Sequence, residues 1–155
     1  MIRRRTFALV GCLALAIGLL AAGPTAAATE RGLHLTVPSF DFGTSDCVGF
    51  VCTGPADGTA TSNLDGDGTI HWVLVVTFFD GWDSNCNHVD EVGTFTFAHG
   101  SITEVSHHTD CRLNGMRVKT TFEIVGGTGR FAGATGGGIE IAGPQPFTYN
   151  GTIHV

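Results

Sequence analysis

Val125-Gly126-Gly127-Thr128-Gly129-Arg130-Phe131-Ala132-Gly133-Ala134-Thr135-Gly136-Gly137-Gly138 is the stretch on which the fold reading turns. Its centre, Gly127 to Ala132, has the outline of a G-x-G-x-x-A dinucleotide fingerprint. That fingerprint works only where a helix follows the glycines and offers its N-terminus to a pyrophosphate, with an acidic residue on a second strand about 20 positions on. Neither is available, because Gly136, Gly137 and Gly138 follow and each glycine costs about 1 kcal/mol against alanine in a helix interior. A P-loop fails as well, since no Lys-Ser/Thr pair comes after the glycines. What remains is a tight corner between strands, where glycine permits positive φ and close backbone approach. In such a corner Phe131 can plug a barrel end and Arg130 can bond loop carbonyls.

Outward from this corner, apolar and β-branched residues arrive in short bursts separated by Gly, Asp, Asn and Pro. Leu33 to Val37 alternates and stops at Pro38, and Thr69 to Phe79 is apolar on both faces. Thr94 to Ala98 and Ile102 to Ser106 flank a His99-Gly100 turn, and the last bursts are Met116 to Val125, Gly138 to Ala142 and Phe147 to Val155. Beyond residue 28 no stretch sustains a 3.6-residue apolar period over three turns, so seven or eight strands in a barrel or sandwich are expected.

The corner, the preceding strand Thr120-Thr121-Phe122-Glu123-Ile124 and the closing Phe147-Thr148-Tyr149-Asn150-Gly151-Thr152-Ile153 together resemble the C-terminal part of allene oxide cyclase-like and dirigent-like barrels. The resemblance covers mainly residues 116–155 and implies an all-β, eight-stranded antiparallel barrel with an apolar cavity. Members of that superfamily cyclise a fatty-acid epoxide or steer phenoxy-radical coupling. Their acidic and aromatic catalytic residues lie upstream, where this chain offers no residue-by-residue match, so the resemblance carries the fold and not the activity.

At the other end of the chain Arg3, Arg4 and Arg5 precede an apolar run from Phe7 to Ala22, and Ala26-Ala27-Ala28 suits signal peptidase. A secretory leader over 1–28 and a single domain over 29–155 are expected. Arg4-Arg5-Thr6-Phe7 matches a twin-arginine signal only in part, which favours general secretion. Leu9-Val10-Gly11-Cys12 mimics a lipoprotein box, but the apolar run continues well beyond Cys12. No other stretch reaches the roughly 18 to 20 apolar residues of a membrane span, so the processed protein is expected to be soluble. Beyond the leader, five basic residues face 14 acidic ones, which excludes a nucleic-acid partner.

The four remaining cysteines suit an oxidising compartment. Cys47 and Cys52 lie five apart, and Cys86 and Cys111 sit in loops at the open base of the Thr94–Ser106 hairpin. Cys47–Cys52 and Cys86–Cys111 is the pairing expected among three connectivities.

Candidate metal sites are weaker than their alternatives. Asn63-Leu64-Asp65-Gly66-Asp67-Gly68 begins like a calcium loop, but Leu74 stands where the bidentate Glu belongs, and a hairpin turn fits better. Asp80, Asp83, Asn85, Asn87, Asp90 and Glu91 crowd another loop that could hold calcium or form Asx turns. His88, His107 and His108 near Cys86 and Cys111 match no zinc-finger spacing, and no metal or cofactor is expected. No Gly-x-Ser-x-Gly elbow is present. Asn150-Gly151-Thr152 fits a glycosylation sequon within the closing strand.

The hairpin supplies the sharpest site expectation. With His99-Gly100 as a two-residue turn, Phe97 faces Ile102 and Phe95 faces Glu104, so Phe95, Phe97, Ile102 and Glu104 share one face. That face is the more apolar, which puts Glu104 among aromatics and raises its carboxyl pKa. Glu104 is therefore the candidate catalytic carboxylate, and Phe95, Phe97, Glu104 and Trp72 are the candidate ligand contacts. The expected function is a secreted barrel that binds a small apolar or aromatic molecule. A cyclase, isomerase or dirigent-type enzyme and an extracellular module with a closed core are the alternatives.

Overall fold

The computed structural model describes residues 28–79, 86–111 and 117–155. The leader read over the first residues, and Asp80, Asp83 and Asn85 of the acidic loop, fall outside them. The strands are β1 (Glu30–Phe42), β2 (Asp46–Val48), β3 (Val51–Ser62), β4 (Gly66–Phe78), β5 (Cys86–Phe97), β6 (Gly100–Cys111), β7 (Val118–Gly127), β8 (Thr135–Ala142) and β9 (Phe147–His154). Each pairs antiparallel with its neighbour in chain order from β2 through β9, and β1 closes the ring by pairing with both β9 and β3. The result is one eight-stranded antiparallel barrel, with β2 lying outside it against β3. Among the described residues no helix is long and apolar enough to cross a membrane.

Several strands run further than the apolar bursts indicate. β1 does not stop at Pro38 but continues to Phe42. Pro38 sits where the pairing with β3 shifts between Thr36 and Ser39, an irregularity that tolerates a residue without an N–H. β3 contains Gly54, Pro55 and Gly58 and reads as a loop, yet it pairs with β4 over its full length. Its inward residues, Ala56 and Ala60, are too small to announce a strand. β8 begins at Thr135, so Gly136, Gly137 and Gly138 belong to the ladder rather than to the corner.

The cysteines form Cys47–Cys52 and Cys86–Cys111. They sit within the ladder rather than in loops: Cys47 pairs across β2 and β3 with Cys52, and Cys86 across β5 and β6 with Cys111. Asn87, Asp90 and Glu91 are consequently strand residues.

The turn between β5 and β6 is Ala98-His99, one residue earlier than expected, so Phe97 pairs with Gly100 and Phe95 with Ile102. Moving the turn by one residue moves each partner by two, which leaves every side chain on its original face. Phe95, Phe97, Ile102 and Glu104 therefore do share the inward face, with Gly93 opposite Glu104.

The barrel interior is continuous from Leu33, Leu35 and Val37 through Ile70, Phe95, Ile102 and Ile124 to Ile153. Tyr149 packs edge-on between Phe95 and Phe122, with ring centroids 5.2 and 5.3 Å away. Burying each such large apolar side chain contributes about 1.5–3 kcal/mol.

Candidate functional site

The two ends of the barrel differ. At one end β7 finishes at Gly126 and Gly127, opposite Thr103 and Ile102, and the chain turns through a single 3-10 turn, Gly129–Phe131. Gly129 has φ +59, and a Cβ there would fall on the His99 carbonyl oxygen. The turn is tied down because the Arg130 N–H donates to that same carbonyl at 2.9 Å. Phe131 turns inward, 1% exposed, and packs against Phe97. The Arg130 guanidinium donates to Leu64 O at 3.2 Å and to Asp65 Oδ1 at 3.0 Å. Asp65 also accepts from the His99 backbone N–H at 3.0 Å and lies 2.8 Å from His99 Nδ1. The side-chain hydrogen bond with His99 is the main reason its carboxyl is held below the ordinary range. The segment that begins like a calcium loop is a turn whose Asp65 already serves this corner.

At the other end a cavity of about 410 Å³ opens, walled by Phe40, Trp72, Leu74 and Phe147. Phe40 stands edge-on to Trp72 at 5.4 Å and to Phe147 at 4.9 Å. Polar groups enter the wall from β5 and β6 as Asn87, Glu91 and His108. Of the expected ligand contacts, Trp72 lines this space, whereas Phe95, Phe97 and Glu104 are buried but not on the cavity wall.

Around the cavity floor the fold buries three carboxyl groups: Glu91 of β5, Glu104 of β6 and Glu140 of β8, with exposures of 4%, 1% and 0%. Ser106 Oγ donates to Glu140 Oε2 at 3.2 Å. Among the described residues, Trp72 Nε1, Asn87 Oδ1, Glu91 Oε1, both Glu104 oxygens, Glu140 Oε1 and Tyr149 Oη make no hydrogen bond of good geometry, although Trp72, Glu104, Glu140 and Tyr149 lie close enough to polarise one another. Gly93 makes room for this arrangement, since a Cβ there would strike Glu104 Oε1 and come within 2.9 Å of Trp72 Nε1.

Burial governs the protonation of the set. It raises Glu104 to about 8, assisted by the charge of Glu140. Burial, then Glu140 and Glu104, raises Glu91 well above the ordinary value. Glu140 is raised by burial and held back by Glu91, Ser106 and Tyr149. Tyr149 is raised well above its ordinary 10.0 by burial and then by the carboxyls. Burial also lowers His108, which favours the neutral imidazole. One donor atom each from Glu91, His108 and Glu140 lie within 4.8 Å of one another.

The histidines near the cysteines do not form a mixed Cys/His site. Both cysteines there are in a disulfide, and His107 Nδ1 and His88 Nε2 instead lie 2.6 and 3.1 Å from Asp90 Oδ1. His108 alone reaches the cavity.

Glu140 and Tyr149 escape the sequence reading. Ile139-Glu140-Ile141 looks like two core isoleucines around a surface acid, yet Glu140 points inward and both isoleucines are only half-buried. The usable signal is Ala142, which shares Glu140's face and is buried with it. No protein-family model matches the chain, and no curated protein matches it.

Proposed function

We propose that this protein is a secreted barrel of the allene oxide cyclase-like and dirigent-like kind, which binds one small molecule with an apolar or aromatic body and a hydrogen-bonding head. The observation that carries the reading is the pairing of an aromatic-walled cavity with partnerless buried polar atoms, Asn87 Oδ1 and Glu91 Oε1, on residues of its wall. A volume of about 410 Å³ suits a single small ligand. Leaving a buried donor or acceptor unmatched costs about 1–3 kcal/mol, so a ligand head that satisfies these atoms gains affinity from groups the fold leaves open. The protonated carboxyl of Glu91 can donate a hydrogen bond, and Asn87 Oδ1 can accept one.

The cyclase or isomerase alternative has one specific support. Glu91 is an acid held in its neutral form beside the cavity, which is what a general acid requires.

Aminoanthracene, an aromatic probe carrying a hydrogen-bond donor, tests the reading by fluorescence in the presence of a chelator. Saturable binding is expected, and Leu74→Trp, which fills the cavity, is expected to abolish it. Absence of saturable binding, or binding unchanged by Leu74→Trp, contradicts the proposal.

A further inference from the structure

We propose that Glu91, His108 and Glu140 form a zinc site at the inner end of the cavity. Their donor atoms already lie within 4.8 Å of one another, brought together from β5, β6 and β8. Tetrahedral zinc bonds of about 2.0–2.2 Å place donors roughly 3.4 Å apart, so modest rotation of the two glutamates closes the set.

A second observation points to a ligand here. Among the described residues, Glu91 Oε1 and Glu140 Oε1 are buried without a hydrogen bond of good geometry, on residues 4% and 0% exposed. Glu140's other oxygen accepts from Ser106, whose hydroxyl also lies 3.5 Å from His108 Nδ1. Ser106 thus orients two of the three donors, the supporting role that outer-shell groups play around bound metals.

The donor set selects the ion class. Calcium and magnesium favour all-oxygen shells, and a soft ion favours thiolates, whereas one imidazole with two carboxylates suits zinc. Zinc binding displaces the protons that burial keeps on Glu91 and Glu140, and the two resulting carboxylates balance the divalent charge inside the barrel. Three protein donors leave the fourth position open, and Glu91 and His108 direct it toward the cavity, where water or a ligand head can occupy it.

The inference stands apart from the small-molecule reading, because zinc binding is measured without probe and probe binding with chelator. The chain freed of metal and titrated with Zn²⁺ alone is expected to bind it stoichiometrically. His108→Ala and Glu91→Gln should each weaken binding by at least about tenfold. His107→Ala, on the outer face, should leave it unchanged. X-ray absorption of the zinc-loaded wild type should show an imidazole in the first shell, a readout that depends on no variant folding. Failure of the wild type to bind zinc, an all-oxygen shell, binding that survives His108→Ala, or binding lost in His107→Ala would each overturn the site.

Discussion

The two ends of this barrel solve the same problem in opposite ways. At the glycine-rich end the polar side chains of the corner find partners: Arg130 reaches Leu64 and Asp65, Asp65 holds His99, and Ser101 Oγ lies 2.8 Å from Thr128 Oγ1. Toward the cavity end, seven buried polar atoms make no hydrogen bond of good geometry among the described residues, and three of them, Trp72 Nε1, Asn87 Oδ1 and Glu91 Oε1, belong to residues of the cavity wall. Unmatched buried groups are costly, so an interior that collects them trades stability for something else, and binding is the use consistent with an adjoining cavity. The difference separates a region built to close the fold from one built to receive a partner.

The largest expected effect lies at the closed end. Gly129→Val forces a β-branched residue to φ +59 and drives its Cβ into the His99 carbonyl, so the cooperative thermal transition should be lost. An unchanged melting temperature would remove the corner from the account.

The next is a difference in pH response. Glu104's folded value of about 8 lies above its ordinary 4.5, so its contribution is complete below 4.5 and disappears as pH rises through about 8. In chelator-treated protein, stability against urea should fall over that window by on the order of 5 kcal/mol from Glu104, and Glu104→Gln should reduce the dependence to the part carried by Glu91 and Glu140. Asp65 has the opposite sign: its lowered carboxyl stabilises above 3.8, and that contribution is lost as pH falls below it. Alkaline weakening undiminished in Glu104→Gln would show that Glu104 does not contribute to the pH response of this end.

Disulfide removal sharpens the comparison further. Loop-closure entropy gives Cys86–Cys111, with a separation of 25, about 3.5 kcal/mol and Cys47–Cys52, with a separation of 5, about 2 kcal/mol. Paired Cys→Ser variants should rank in that order by chemical denaturation. The smallest effect should be Arg130→Ala, which removes a partly exposed side chain from carbonyl and carboxylate partners and should lower the melting temperature only slightly.

The fold was largely legible because glycine corners and period-two bursts depend on local chemistry. Glu104's inward orientation was legible despite a misplaced turn, because the alternation survives a one-residue shift of the turn. Alternation shows which residues share a face but not which face is inside, and Ile139-Glu140-Ile141 therefore misdirects. β3 was hidden by its glycines, proline and alanines, and Glu91 by a run of Asx residues that imitates a loop. The buried polar set assembles from β4, β5, β6, β8 and β9, and no local pattern encodes which of their inward residues meet.

The central claim, that the open end receives a ligand which satisfies its polar atoms, is tested most directly by a crystal structure of the protein with aminoanthracene. The account predicts the ring among Phe40, Trp72 and Phe147, with its amine within hydrogen-bonding distance of Asn87 or Glu91. A probe held only on the outer surface, with the cavity closed by the side chains of Phe42 and Phe147, would contradict it.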